Sequence, residues 1–131
     1  MPHTLSPTAR AILLRAAADA APCEACGLLL GEGTHIHTAT IAANIHPESA
    51  THFEIDSAAL IAAHRAARSG GPQVLGYWHS HPNGRAEPSA IDRQQASGDG
   101  RVWAIVADGG MTLWRDAAAG FVALPYVVQD G

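Results

Sequence analysis

The chain has 131 residues, 47% of them hydrophobic and 15% charged, and carries a net charge of −4 at neutral pH. That length suits one domain with its own core and is short for two, and the apolar content excludes a disordered chain. The acidic balance, in which all eight basic residues are arginines, argues against nucleic acid or an anionic membrane as partner. No window reaches the roughly 18 apolar residues of a spanning helix. Met1-Pro2-His3-Thr4 lacks the charged start and apolar run of a signal peptide. Two cysteines, Cys23 and Cys26, are too few for a disulfide framework. A soluble, cytoplasmic domain over residues 1–131 is expected.

Ser6 followed by Pro7 reads as a helix cap with proline at the first helical position. Ile12, Leu13, Ala16, Ala17 and Ala20 then repeat at helical spacing until Pro22 stops the helix. Residues 23–31, with Leu28-Leu29-Leu30 at their centre, predict a buried strand, and residues 35–44 a second one. A turn at His46-Pro47-Glu48-Ser49 leads to a short extended piece over residues 52–55. Asp56 or Ser57 caps a second helix carrying Leu60, Ile61 and His64, closed by Gly70-Gly71. Residues 74–79 predict a strand, the breaker-rich residues 82–88 a loop, and Ser89 the start of a short helix ending near Gly98. Residues 102–107 and 111–115 predict a hairpin about Asp108-Gly109-Gly110, and residues 121–128 a last strand closing the sheet. The order implies an α/β (α+β) fold, a mixed sheet flanked by helices.

The chemistry gathers in Tyr77-Trp78-His79-Ser80-His81-Pro82 and Pro88-Ser89-Ala90-Ile91-Asp92. Alternate residues of a strand share a face, so His79 and His81 aim two imidazoles at one point, with Trp78 and Ser80 on the other side. Asp92 lies one turn into the helix begun by Ser89 and can bring a carboxylate to the same point. Two nitrogens and an oxygen, with a position left open, make the donor set of a catalytic zinc. A lone H-x-H is usually a pair of surface histidines, and His35-Ile36-His37, without a matching serine and aspartate, is read that way. Ser89-x-x-Asp92 is also an ordinary capping box. The combination at this spacing is what is improbable by chance.

On these residues the sequence resembles the JAMM (MPN-plus) zinc metallopeptidases, whose signature is a remote glutamate plus H-x-H-x7-S-x2-D. The match is to the short bacterial type, and Pro22-Cys23-Glu24-Ala25-Cys26-Gly27-Leu28 resembles the strand bearing the family's glutamate. Asn44 and Phe53 also sit where bacterial members often carry such residues. The resemblance implies a cytidine-deaminase-like JAMM/MPN fold with Zn2+ on His79, His81 and Asp92. It also implies that Glu24 takes a proton from the attacking water and passes it to the leaving amine, while Ser89 helps hold the oxyanion. The implied substrate is the C-terminal Gly-Gly tail of a ubiquitin-like sulfur-carrier protein, trimmed or freed of an attached amino acid such as cysteine.

The alternatives are a ubiquitin-type isopeptidase and a non-catalytic MPN scaffold. After His81 no histidine or cysteine follows, so the extra structural zinc of some polyubiquitin-specific members has no ligands there. Cys23-x-x-Cys26 and His46-Pro47-Glu48 match the two halves of a zinc-deaminase signature in the wrong order, and a dithiol redox role lacks its βαβ context. Cys26 is expected to pack. A homodimer through apolar residues 121–128 is compatible with the pattern but not required by it.

Overall fold

The computed structural model describes residues 2–129; Met1, Asp130 and Gly131 lie outside the described residues. Among these, eight strands form one mixed sheet. They are β1 (His3–Leu5), β2 (Cys26–Glu32), β3 (His35–Ala42), β4 (Gln73–Ser80), β5 (Val102–Ala107), β6 (Gly110–Ala117), β7 (Gly120–Leu124) and β8 (Tyr126–Val128). Their spatial order is β7-β6-β5-β4-β2-β3-β1-β8. Strands β4 and β5 are parallel, as are β1 with β3 and β1 with β8, and the remaining neighbours are antiparallel. Three helices complete the fold, α1 (Pro7–Ala20), α2 (Ser57–Arg68) and α3 (Ala90–Gln95).

Helix α1 starts as its sequence dictates: the Ser6 hydroxyl accepts from the Ala9 N–H at 3.0 Å, with Pro7 next to the cap. Ala9, Leu13 and Ala16 form its buried stripe. It packs with Leu29, Ile36, Trp78, Ala104 and Val106 of the sheet into the main core. Strand alternation sends Tyr77, His79 and Trp103 to the opposite face, where Cys26, Phe53 and Trp103 form a smaller cluster.

Three sequence expectations need correction. The strand predicted from residue 23 begins at Cys26, because the Glu24 N–H donates to the Ser49 carbonyl (2.7 Å) and not to a neighbouring strand. The single strand predicted over residues 121–128 splits at Pro125, which has no N–H for a ladder; β7 pairs with β6, and β8 crosses to the far edge beside β1. Strand β1 itself was not anticipated, since three residues carry no periodic signal. Helix α2 forms as expected from its Asp56 cap, yet buries none of its residues, and Ile61 is 54% exposed.

Gly27 sits where the face of the site meets the core. The Trp78 indole N–H crosses strand β2 to donate to the Thr40 carbonyl at 2.8 Å. A Cβ on Gly27 would fall within the radii of that carbonyl oxygen and lie 2.5 Å from the indole nitrogen. Gly27→Ala is therefore expected to destabilise the fold by at least about 2 kcal/mol, as overpacking does. A denaturation midpoint unchanged from wild type would contradict this account of the β2–β4 crossing.

Candidate active site

Strand β4 delivers the first two donors. His79 is fully buried on the face away from α1, His81 follows two residues on, and their Nε2 atoms lie 2.9 Å apart. Helix α3 brings the third. Its capping box is complete, with the Asp92 N–H donating to the Ser89 hydroxyl (3.0 Å) and the Ser89 N–H to the Asp92 carboxylate (2.9 Å). That box aims the Asp92 carboxylate inward, Oδ1 at 3.1 Å from His79 Nε2 and Oδ2 at 3.0 Å from His81 Nε2. Donors around a tetrahedral zinc with bonds of about 2.0–2.1 Å stand roughly 3.3–3.4 Å apart, so the three already converge on nearly that triangle.

The two imidazoles are held differently. His81 Nδ1–H donates to the Arg85 carbonyl at 2.6 Å, which leaves the Nε2 electron pair free for an ion. His79 has no such partner, and its buried Nδ1 is unpaired among the described residues. Its ring is fixed by packing instead, stacked on Phe53 at 4.3 Å and 17° and met by the edge of Trp103 at 5.6 Å. Burial keeps the His79 pKa below its ordinary value despite Asp92. For His81, burial works the same way but is outweighed by hydrogen bonds to Asp92 and to the Arg85 carbonyl, and the pKa rises. Burial also opposes ionisation of Asp92, yet the two imidazoles hold its carboxyl well below the usual range.

Glu24 arrives from the start of β2, where Cys26 pairs with His79. Its backbone is clamped on both sides: the N–H donates to Ser49 and the carbonyl accepts from the Asn44 side chain at 3.0 Å. The next residue, Ala25, donates to the Ser80 hydroxyl at 2.8 Å. A carboxylate oxygen of Glu24 lies within 4.8 Å of a ligand nitrogen of both His79 and His81. Geometry alone permits Glu24 as a ligand, but Asp92 is closer to both imidazoles and completes the tighter triangle. Glu24 Oε1 is buried with no hydrogen-bond partner among the described residues. Burial, with Asp92 adding to it and His81 opposing, pushes its pKa up to about 7.

Glu24, His81 and Ser89 line one cavity of about 170 Å³, walled by Ala50 and Thr51 of the turn before α2. The Ser89 hydroxyl accepts from Asp92, so its own O–H remains free to donate. The structure thus brings Glu24, His79, His81, Ser89 and Asp92 together. It leaves elsewhere the His35–His37 pair, where His35 Nδ1 bonds to the Thr4 hydroxyl. Cys23 and Cys26 are free thiols, and burial, aided by Glu24, pushes Cys26 up to about 11. That makes Cys26 a packing thiol. The roles of Ser80, Ala50 and Thr51 were not anticipated, because backbone hydrogen bonds and cavity walls leave no spacing signal. Asn44 and Phe53 had been singled out by position only. Asn44 proves to be a hub, its Oδ1 accepting from His46 and Glu54 and its Nδ2 donating to Glu24 and His52.

This sheet and this convergence of donors define the class as a JAB1/MPN-type domain with the JAMM arrangement. The chain belongs to the family described as prokaryotic homologs of the JAB domain, whose model matches residues 6–117. It is 35% identical over 117 residues to the desampylase of Haloferax volcanii, covering 86% of this chain and 84% of that protein. It is also 35% identical over 96 residues to a Thermus thermophilus protein named "Probable TtuB-protein conjugate cleaving protease". That match covers 73% of this chain but only 62% of the relative. A crystal structure of a JAB1/MPN domain protein from Archaeoglobus fulgidus shares the fold, with a TM-score of 0.63, 21% identity and 97% coverage of each chain. Among the described residues no helix is long and apolar enough to cross a membrane.

Proposed function

We propose that this chain, as one domain over residues 1–131, is a zinc-dependent peptidase that cleaves the amide bond after the C-terminal Gly-Gly of a ubiquitin-like sulfur-carrier protein. The observation that carries the reading is Glu24: a buried, unpartnered carboxylate poised near pH 7, within 4.8 Å of both imidazoles and in one cavity with Ser89. A structural glutamate would be paired or exposed; this one is held ready for a proton.

His79, His81 and Asp92 would hold the ion, and their two nitrogens and an oxygen, buried and pre-converged, suit zinc. Bound zinc supplies a Lewis acid that lowers the pKa of water to about 7 and polarises the scissile carbonyl. Glu24 accepts the proton of the attacking water, then delivers it to the departing amine as the carbon–nitrogen bond breaks. The Ser89 O–H donates to the developing oxyanion. Phe53 and the Arg85 carbonyl keep the two imidazoles in orientation throughout.

The substrate reading rests on size and relationship. A cavity of about 170 Å³ beside the donors has room for an extended, side-chain-poor tail such as Gly-Gly. Such a tail can lie along a strand edge by main-chain hydrogen bonds. The Thermus relative is named for cleaving protein conjugates and the Haloferax relative is named a desampylase, which supports hydrolysis at a ubiquitin-like modifier. The conjugate in the first name also favours a second bond, the isopeptide from the carrier's last glycine to a protein amine. Parallel assays on a carrier with residues beyond Gly-Gly, a carrier–protein conjugate and a ubiquitin dimer separate these readings. Zinc-loaded protein that cleaves neither carrier substrate would sink the sulfur-carrier assignment and leave the metal site standing.

Acid should release the metal, because two of its three candidate donors are imidazoles that must be neutral to bind an ion. Zinc captured by a dye should therefore appear as pH falls through the histidine range. Retention well below about pH 5 would contradict a two-histidine site.

A further inference from the structure

The turn between β3 and α2 gathers a second group of metal-ligating side chains, distinct from the catalytic donors. His46, Glu48 and His52 each place a ligand atom within 4.8 Å of the other two. The two imidazoles are half-buried and nearly parallel, with ring centroids 4.5 Å apart at 13°. Glu48 Oε2 stands 3.8 Å from His52 Nδ1. His46 Nδ1 accepts from the Glu48 N–H at 2.9 Å and His52 Nδ1 is hydrogen-bonded to the Thr51 hydroxyl at 2.8 Å, so an ion taken by the His46 ring at Nδ1 replaces the Glu48 N–H bond.

The backbone beneath them is already set. The N–H groups of Thr51 and His52 both donate to the Glu48 carbonyl, at 3.1 and 3.0 Å, which winds residues 48–52 into one helical turn. Glu48 and His52, four apart, therefore share a side. Asn44 fastens both ends, accepting from the His46 N–H at 3.1 Å and donating to the His52 carbonyl at 3.0 Å. Around an ion with bonds of about 2.0–2.1 Å the donors stand roughly 3.3–3.4 Å apart, so no pair needs to close by more than ~1.5 Å. Side-chain rotation covers that distance.

We propose that His46, Glu48 and His52 form a second site for a divalent transition-metal ion of the zinc type. Two imidazoles and a carboxylate suit such an ion over calcium or magnesium, and solvent completes the shell on the exposed side of Glu48. The same turn carries Ala50 and Thr51, which wall the catalytic cavity, and runs directly into Phe53 on His79. An ion bound here stiffens that wall. The proposal does not depend on the peptidase reading.

Its test is titration of the metal-stripped full-length protein with Co2+, followed by absorption, and with Zn2+ by calorimetry. About two ions per chain are expected, the more weakly held one at the exposed donors. His46→Ala and His52→Ala should each abolish the weaker event and leave the tighter one in place. Since either change also removes the ring stack, Glu48→Gln supplies the independent arm: it keeps both rings and should weaken the second event at least about tenfold. Saturation at about one ion per chain in the wild type, or a second event that survives all three substitutions, overturns the proposal.

Discussion

Glu24→Gln is expected to keep its metal and lower kcat by about two to four orders of magnitude, the usual worth of a positioned general base. The amide is nearly isosteric with the carboxyl, and the three converging donors do not include Glu24, so zinc content should match the wild type. Zinc analysis beside single-turnover kinetics reads both halves of the claim. Undiminished turnover would remove Glu24 from the mechanism, and loss of zinc would make it a ligand. The metal-free protein offers a further check with a defined sign. Burial raises the Glu24 pKa from 4.5 to about 7 in the folded state. Between those values the folded chain holds a proton that the unfolded chain has released, so the stability Glu24 contributes is full below that window and is lost as pH rises through about 7. Glutamine does not titrate. The stability of the metal-free wild type should therefore fall relative to Glu24→Gln across that range, as denaturation midpoints at several pH values would show.

Asp92 carries two duties that substitutions can separate. Its carboxylate faces both imidazoles, at 3.1 and 3.0 Å, and also accepts the Ser89 N–H that closes the cap of α3. Asp92→Asn keeps an acceptor for the cap and removes the charge. Zinc affinity should drop by at least about a hundredfold, more than changes behind the ligands usually cost, and the metal-free protein should melt lower at neutral pH, because the charge that pairs with the two imidazoles is gone. Asp92→Ala should lose the metal equally and cost about 1 kcal/mol more through the missing cap. Chelator competition together with thermal melts distinguishes the two. If Asp92→Ala retained zinc at wild-type affinity, the ligand triangle would have to be redrawn around Glu24.

Much of the site could be read from local spacing because local geometry creates it. The alternation of a strand puts His79 and His81 on one side, and a capping box turns Asp92 toward its own helix start. Both rules act within a few residues and need no knowledge of the partners. Helix α1, with its Ser6 cap and its stripe of Leu13 and Ala16, could be read for the same reason. The proposed general base is different. Glu24 lies 55 residues before His79, and only its resemblance to a family strand singled it out. Its raised pKa comes from burial, and the segment is held in that position by Asn44 and Ser49 on its own backbone and by Ser80 on the N–H of Ala25. None of those three contacts has a sequence period.

The sequence by itself thus determined the candidate donor types, their order, the helix caps and a mixed α/β fold, since each follows from covalent spacing and short-range hydrogen bonding. Only the tertiary structure decided that β8 crosses to pair with β1, that α2 lies on the sheet without burying its apolar residues, and that Phe53 stacks on His79. These depend on which distant surfaces exclude water from one another, and that choice is made by the whole sheet. The same holds for His46, Glu48 and His52. In the sequence they were half of a misplaced deaminase pattern and an unrelated histidine. One turn of backbone, fastened at both ends by Asn44, makes them neighbours.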